Sequence, residues 1–272
     1  MAKKKSLKLR SVWISDIHLG FRGCQAEALL HFLHSVETEY LFLVGDIVDF
    51  WNIKKTPYWP QLHTNVIRSI LGKAKHGTRV IYIPGNHDEV MRDCVGQVLG
   101  NLEIHRDFTH TTADGRKLLI LHGDEFDVVM KNSRWLAKLG SVAYDKLLSL
   151  NHFVNSFRRL FRFSYWSLAA YLKHKVKNAV SFIGSFEDAL AYLAREKGAD
   201  GVVCGHIHHA EVRMIDGVLY CNDGDWVESL TSLVEHKDGR LELLYWSKQY
   251  EQHKQLQNAA ADVAAVPDRK AA

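Results

Sequence analysis

Short apolar runs recur along the chain, and each stops abruptly where polar residues begin: Val12 to Ile14, Leu41 to Val44, Val80 to Ile83, Leu118 to Leu121 and Val202 to Cys204. Runs of this length, rich in β-branched residues and with glycine or proline at several exits, predict buried strands rather than helices. Between them the period changes. Ala26, Leu29, Leu30, Leu33 and Val36 recur at helical intervals, as do apolar residues from Leu62 to Leu71, which predicts helices covering a sheet. Ser185-Phe-Glu-Asp188 has the spacing of a capping box and Gly198 that of a stop, so a helix is expected from Phe186 to Lys197, feeding the next strand. Val218 to Cys221, Leu230 to Val234 and Leu241 to Trp246 predict antiparallel strands, with Asp238-Gly239 turning between the last two. Strands alternating with helices in this way define an α/β fold.

At 272 residues and 47% hydrophobic, the chain can bury a full core. The economical organisation is one domain over residues 8–250, with an insertion at 131–178 and a tail at 251–272. The tail is rich in Gln and Ala, so a frayed helix with a disordered end and complete disorder both fit it. No apolar stretch reaches the ~18 residues that span a bilayer, and Met1-Ala-Lys-Lys-Lys precedes no apolar run, so a cytoplasmic or peripheral protein is expected. Cys24, Cys94, Cys204 and Cys221 lack metal-type spacing, and disulfides are not expected.

Chemistry stands directly behind the first set of strands. Asp16-x-His18, Gly45-Asp46-x-x-Asp49, Gly85-Asn86-His87-Asp88, His122-Gly-Asp124 and Gly205-His206-Ile207-His208 each follow an apolar run. Loops at strand ends can converge on one point while the sheet keeps them rigid. The donors are carboxylates, an amide and imidazoles, a mixture that suits divalent manganese, iron or zinc. Asp16, His18, Asp46, Asn86, His122, His206 and His208 supply seven side chains, enough for two ions if one carboxylate bridges. Two ions held ~3.5–4 Å apart clamp both sides of an in-line displacement at phosphorus. Asn86, being neutral, limits the negative charge on the ions and keeps them Lewis acidic. Of the 16 histidines, His31, His34, His63, His76 and His236 are expected on the surface or satisfied in the core, and His152 and His209 are closer to structural than catalytic.

In family order and each behind a strand, the five clusters resemble the calcineurin-like metallophosphoesterases, from Asp16 to His208. The resemblance implies a sandwich of two packed β-sheets flanked by helices. It places Asp16, His18, Asp46 and His208 on a first metal and Asp46, Asn86, His122 and His206 on a second, with Asp46 as the bridge. His87 is similar to the family histidine that contacts the scissile phosphate or protonates the leaving group. Asp49 is its expected orienter, since a carboxylate behind an imidazole fixes its tautomer and favours its charged form. Asp88 and Asp124 are expected behind the ligands, holding loop backbones or ligand histidines.

The insertion carries its own signal. From Lys131 to Asn178 there are ten Lys or Arg against the single acid Asp145, so this segment is +9 in a chain of +4 and the remainder is −5. Interleaved aromatics, among them Trp135, Phe157, Tyr165 and Trp166, fall at spacings compatible with amphipathic helices. Such aromatics can pack on a core while the cations face water, or the segment can form a basic lid for an anionic amphiphile or an anionic membrane surface. The lid also resembles a narrower branch, the UDP-2,3-diacylglucosamine hydrolases of lipid A synthesis, as do Gly45-Asp46-Ile-Val-Asp49-Phe-Trp51, His122-Gly-Asp124 and Gly224-Asp225-Trp226. That likeness implies cleavage of a pyrophosphate to UMP and a diacylglucosamine 1-phosphate. Asn86, His87, Lys173 and Lys177 are the expected substrate contacts, the two lysines being one helical turn apart. In one departure, His87 stands where this branch carries arginine. A phosphodiesterase or nuclease of the same fold is the alternative, because basic residues interleaved with aromatics also bind single-stranded nucleic acid. A non-catalytic scaffold fits poorly with an intact ligand set.

Overall fold

The computed structural model describes residues 6–127 and 183–264. The expected lid at 131–178, with Lys173 and Lys177, lies outside the described residues, as do His152 and the end of the tail. The chain divides into two compact units, Met1–Asp124 with Leu193–Ala272, and Glu125–Tyr192. The strands and the metal-ligand candidates all belong to the first.

That unit is a sandwich of two mixed sheets. Among the described residues the strands are β1 (Leu7–Ile14), β2 (Val36–Val44), β3 (Arg79–Ile83), β4 (Val98–Leu99), β5 (Leu102–Ile104), β6 (Phe108–Thr111), β7 (Lys117–Ile120), β8 (Gly201–Cys204), β9 (Glu211–Ile215), β10 (Val218–Asn222), β11 (Thr231–Glu235) and β12 (Leu241–Tyr245). They form a seven-stranded sheet ordered β12-β11-β1-β2-β3-β5-β4 and a five-stranded sheet ordered β6-β7-β8-β10-β9. β1, β2 and β3 run parallel in the first sheet, and β7 and β8 in the second. Every ligand cluster therefore leaves the carboxyl end of a parallel strand.

The continuous apolar runs have a direct cause: these strands are buried on both faces. Val12, Ile14, Leu41 and Leu43 point into the core under the outer helices, whereas Trp13, Phe42 and Val44 point between the sheets, meeting Leu118, Ile120 and Val203. Trp13 stacks on Phe42 with ring centroids 5.1 Å apart. α1 (Ala26–Ser35) covers the outer face with Ala28, Leu29, Phe32 and Leu33. Beside it, α3 (Gln61–Lys75) buries His63, Val66, Ile70 and Ala74 along one stripe. Leu62 and Leu71, at the limits of the apolar stretch that predicts this helix, are exposed.

The structure departs from expectation at several boundaries. Val36 is not the last residue of α1; its extended backbone opens β2, where it pairs with Leu7. Ser185 does not start its helix, which covers residues 183–196 as α4, and both Ser185 and Asp188 are exposed. A capping-box spacing fits equally well on the wet face one turn into a helix. Gly198, with φ of +65°, does follow its end. The tail is helical through α5 (Ser247–Ala264), anchored by Trp246 and Tyr250, which join the core, and by the Trp246 indole donating to His31 Nδ1 at 3.1 Å. All four cysteines are free thiols.

A buried polar cluster ties the sheets together at the opposite end of β1 from the ligand loops. Glu235 on β11 accepts from Arg10 Nη1 at 2.7 Å, Ser11 Oγ at 2.5 Å and the Ala113 amide at 2.7 Å, and its Oε2 is 2.9 Å from His110 Nε2 on β6. Burial pushes this carboxyl up, but the contacts with His110, Ser11, Ala113 and Arg10 outweigh it and bring the pKa from 4.5 to about 2. A carboxyl lowered by folding contributes stability above its unfolded pKa and loses it as pH falls towards the folded one. Glu235→Gln is therefore expected to cost about 1–3 kcal/mol at neutral pH. The gap to wild type should close between pH 4.5 and about 2, as followed by denaturant unfolding. A gap independent of pH would show that Glu235 is not ionised in the fold.

Candidate metal centre

Loop backbones, rather than side-chain reach, bring the donors together. The Asp16 amide donates to the Gly45 carbonyl at 3.1 Å, His18 to Asp46 at 2.9 Å and Leu19 to Ile47 at 2.9 Å, lacing the loop after β1 to the loop after β2. Asp49 returns the bond, its amide donating to the Leu19 carbonyl at 2.8 Å. Asp88, wholly buried, accepts from the amides of Gly85 at 2.6 Å and Ile47 at 2.8 Å, and from the Tyr82 hydroxyl, so it locks the loop after β3 onto the loop after β2. Asp16, His18, Asp46, His206 and His208 all adopt left-handed backbone, with φ between 49° and 70°. Non-glycine residues rarely accept this conformation, and its recurrence at five candidate ligands marks a functional constraint.

Two donor groups result. Asp16, His18 and His208 form one and Asp46, His122 and His206 the other, the ligand atoms within each lying inside 4.8 Å of one another. Asp46 Oδ2 lies between them, 3.9 Å from His18 Nε2 and 3.5 Å from His122 Nε2. Its other oxygen accepts from the His87 amide at 2.8 Å. The third trio, His18, Asp49 and His87, has a different character. Asp49 faces the Nδ1 atoms of both imidazoles, at 3.3 Å and 3.0 Å, and so fixes their orientation while their Nε2 atoms turn towards Asp46. It is itself held by Asn52, whose amide donates to it at 2.8 Å as it caps α2 (Phe50–Lys55).

The donors fit divalent ions on the evidence of their own unsatisfied atoms. Asp16 Oδ1, His18 Nε2, Asn86 Oδ1 and His122 Nε2 are buried without a hydrogen-bond partner, and all belong to expected ligands. Buried polar atoms are ordinarily satisfied. His122 shows the preparation most clearly, since Nδ1 donates to the Val44 carbonyl at 2.8 Å and leaves the Nε2 lone pair for an ion. Burial draws this imidazole down, but Asp46, Asp16 and Asp124 pull it up to about 10 when no cation shares the site. For Asp16 burial acts upwards, and His208, His122 and His18 bring it well below the usual carboxylate range. The cluster thus balances charge among its own members, and divalent cations would take over the role of the imidazolium protons.

His87 lies beside this centre, partly exposed, with its ring 4.6 Å from His18 and 4.3 Å from Trp51. Burial lowers its pKa, yet Asp49, Asp46 and Asp16 leave it above the ordinary histidine value, which favours the proton-carrying form. Asp124 has a partner that the sequence did not suggest: its side chain meets Arg92 Nη2 at 2.7 Å and 2.8 Å, while its charge also acts on the ligand candidate His122. The exposed His209 is 3.8 Å from Glu211, outside both donor groups.

The sequence model of the calcineurin-like phosphoesterases matches residues 9–210, which include all seven candidate ligands together with Asp49 and His87. The chain belongs to the calcineurin-like phosphoesterase family. It is accordingly a metal-dependent hydrolase. Among its relatives is the UDP-2,3-diacylglucosamine hydrolase of Neisseria meningitidis serogroup B, 24% identical over 231 residues that cover 82% of this chain and 92% of the relative. The enzyme of the same name from Aliivibrio fischeri is 22% identical over 246 residues, covering 84% and 94%. A solved archaeal phosphodiesterase is 13% identical with a TM-score of 0.40, covering 86% of this chain and 98% of its own.

Residues without an evident part in the sequence now acquire one: Ser15, Tyr82, Asn222 and Asp223 all contact the ligand loops or their supports. A signal for the last two existed, since Asn222-Asp223-Gly224-Asp225 follows an apolar run just as the ligand clusters do. Gly85 is required by close approach: a Cβ there would stand 2.3 Å from Asp46 Oδ1 and 2.7 Å from the His122 ring. Gly85→Ala is expected to weaken metal binding on the order of tenfold or more while far-ultraviolet circular dichroism stays unchanged. Wild-type metal content in this variant would show that Asp46 is not confined at this point.

Proposed function

We propose that the protein hydrolyses the pyrophosphate of a UDP-diacylglucosamine-like glycolipid, releasing UMP and a lipid sugar phosphate, at a centre of two divalent ions. The observation that supports the binuclear reading is Asp46 Oδ2, placed between two donor groups in which Asp16 Oδ1, His18 Nε2 and His122 Nε2 are buried without a hydrogen-bond partner. Asp16, His18, Asp46 and His208 would hold the first ion and Asp46, Asn86, His122 and His206 the second. Manganese is the preferred metal, with iron or zinc as alternatives that the same donors accept. When bound, the ions supply Lewis acidity at phosphorus and a nucleophile at neutral pH.

The chain's own residues supply the rest. Asn86 and His87 meet the phosphoryl group. His87, oriented through Nδ1 by Asp49 and packed beside the Trp51 ring, donates the proton that the departing phosphate or alkoxide oxygen requires. The glycolipid reading draws on the names of the relatives and on the +9 segment at 131–178 in an otherwise acidic chain. In this reading that segment is a helical lid, its cations (Lys173 and Lys177 among them) meeting the head group and its aromatics lining a groove for acyl chains. Among the described residues no helix is long and apolar enough to cross a membrane. A cytoplasmic enzyme drawn to the anionic inner membrane face by its basic segment and by the lysines near its start is consistent with such a substrate.

Three measurements test this reading. Asp46→Ala should lower metal content at both positions and abolish turnover; two ions per chain with near wild-type rate would remove the bridge. His87→Ala should retain its metals and slow hydrolysis on the order of 10²–10⁴-fold, less for substrates with good leaving groups. Equal loss for good and poor leaving groups assigns His87 to phosphate positioning instead. With manganese present, the long-chain UDP-sugar should be preferred over its deacylated form, and shortening 131–178 should erase that preference. Absence of acyl preference, together with steeply salt-dependent binding of single-stranded DNA, would replace the glycolipid substrate with nucleic acid.

A further inference from the structure

Behind the first donor group, Ser15 Oγ lies 2.5 Å from Asp16 Oδ2, 2.6 Å from Asp223 Oδ1 and 3.1 Å from the Gly224 carbonyl. All three oxygens are acceptors when both carboxyls are ionised, and a serine hydroxyl has one hydrogen to offer. Two oxygen–oxygen contacts this short require two hydrogens, so one carboxyl must bring its own. Asp16 is not that carboxyl. Its Oδ2 also accepts from the His206 amide at 2.9 Å, and its Oδ1 lies 3.1 Å from His208 Nε2, so both oxygens already face nitrogen groups. Asp223 is fully buried, its Oδ2 has no hydrogen-bond partner, and its Oδ1 meets Ser15 Oγ.

We propose that Asp223 is a positioning residue that stands as a neutral carboxylic acid, donating to Ser15 Oγ so that Ser15 donates in turn to Asp16 Oδ2. The inference rests on Asp16 being a metal ligand. Its consequence is directional: Oδ2 is saturated by the Ser15 hydroxyl and the His206 amide, leaving Oδ1 as the oxygen presented to an ion. Burial pushes the Asp223 carboxyl well above the ordinary carboxylate range, in keeping with the proton it holds.

The surroundings are shaped around this relay. A Cβ on Gly205 would stand 2.3 Å from Ser15 Oγ and 2.5 Å from Asp16 Oδ2, so the glycine leaves the space in which the hydroxyl and carboxylate meet. Neighbours of Asp223 hold the same loops from other sides: Asn222 Nδ2 donates to the Gly205 carbonyl at 2.8 Å, and the Trp226 amide donates to the Asp16 carbonyl at 3.1 Å. The segment after β10 is thereby a clamp on the ligand loops after β1 and β8.

The test is calorimetric titration of manganese into the metal-stripped full-length protein, with thermal unfolding measured alongside. Ser15→Ala and Asp223→Leu should each weaken manganese binding at one position on the order of 10- to 100-fold, and the double variant should be no worse than Ser15→Ala. Asp223→Asn keeps a donor of the same shape, so its affinity should remain within about threefold of wild type. Wild-type protein should also show a carboxylic acid C=O stretching band that Asp223→Asn removes. Asp223→Leu with unchanged affinity and lowered thermal stability would reduce Asp223 to packing. Asp223→Asn as damaging as Asp223→Leu, or absence of the carbonyl band, would show an ionised carboxylate and overturn the relay. Asp16→Ala separates the two layers: if it leaves manganese affinity intact, the ligand assignment fails rather than the relay alone.

Discussion

Everything at the centre depends on loops that hold carboxylates and imidazoles in a backbone conformation they disfavour. Asp16, His18, Asp46, His206 and His208 share left-handed φ values, at a cost of about 1–2 kcal/mol for each such residue. The offset comes from outside the site. Parallel β1 and β2 enter their loops in register, and the amides of Asp16, His18 and Leu19 are captured by the carbonyls of Gly45, Asp46 and Ile47. Once those bonds form, the side chains have little freedom left, and their inward atoms converge because the backbone has already turned them.

A second rule governs the polar atoms: Asp16, His18 and His122 are each met on the far side and left open on the near side. Val44 takes Nδ1 of His122, Asp49 faces Nδ1 of His18, and Ser15 occupies Oδ2 of Asp16. On these three residues, Asp16 Oδ1, His18 Nε2 and His122 Nε2 lack a hydrogen-bond partner. Such preorganisation limits reorganisation during a reaction, because the groups that answer developing charge are fixed beforehand. It also concentrates acidic and basic groups so closely that each sets the ionisation of the next, which explains why Asp16 and Asp49 are held low while His87 and His122 are held high.

Charge is divided along the chain in a way that matches a division of labour. Residues 131–178 are strongly basic and the rest is net acidic, and the carboxylates clustered at the centre would repel a phosphorylated ligand unless bound cations offset them. In the proposed reading, the acidic centre would take up metal ions and the basic segment would favour an anionic substrate.

The sequence by itself determined the parallel strands and the positions of the donors, because a strand buried on both faces must be apolar throughout and the polar cluster after it has few reasons to exist except chemistry. It also determined the family, since the spacing of Asp16 to His208 depends on coordination rather than on fold stability. What only the tertiary structure decided were relations between distant segments. Val36 satisfies a helical period and a strand alike until Leu7 is seen to pair with it. Asp124 lies two residues from His122, but the structure pairs it with Arg92. Ser15 and Asp223, separated by 208 positions, meet at a single hydrogen bond, and no local pattern encodes a contact whose two halves arrive on different sheets.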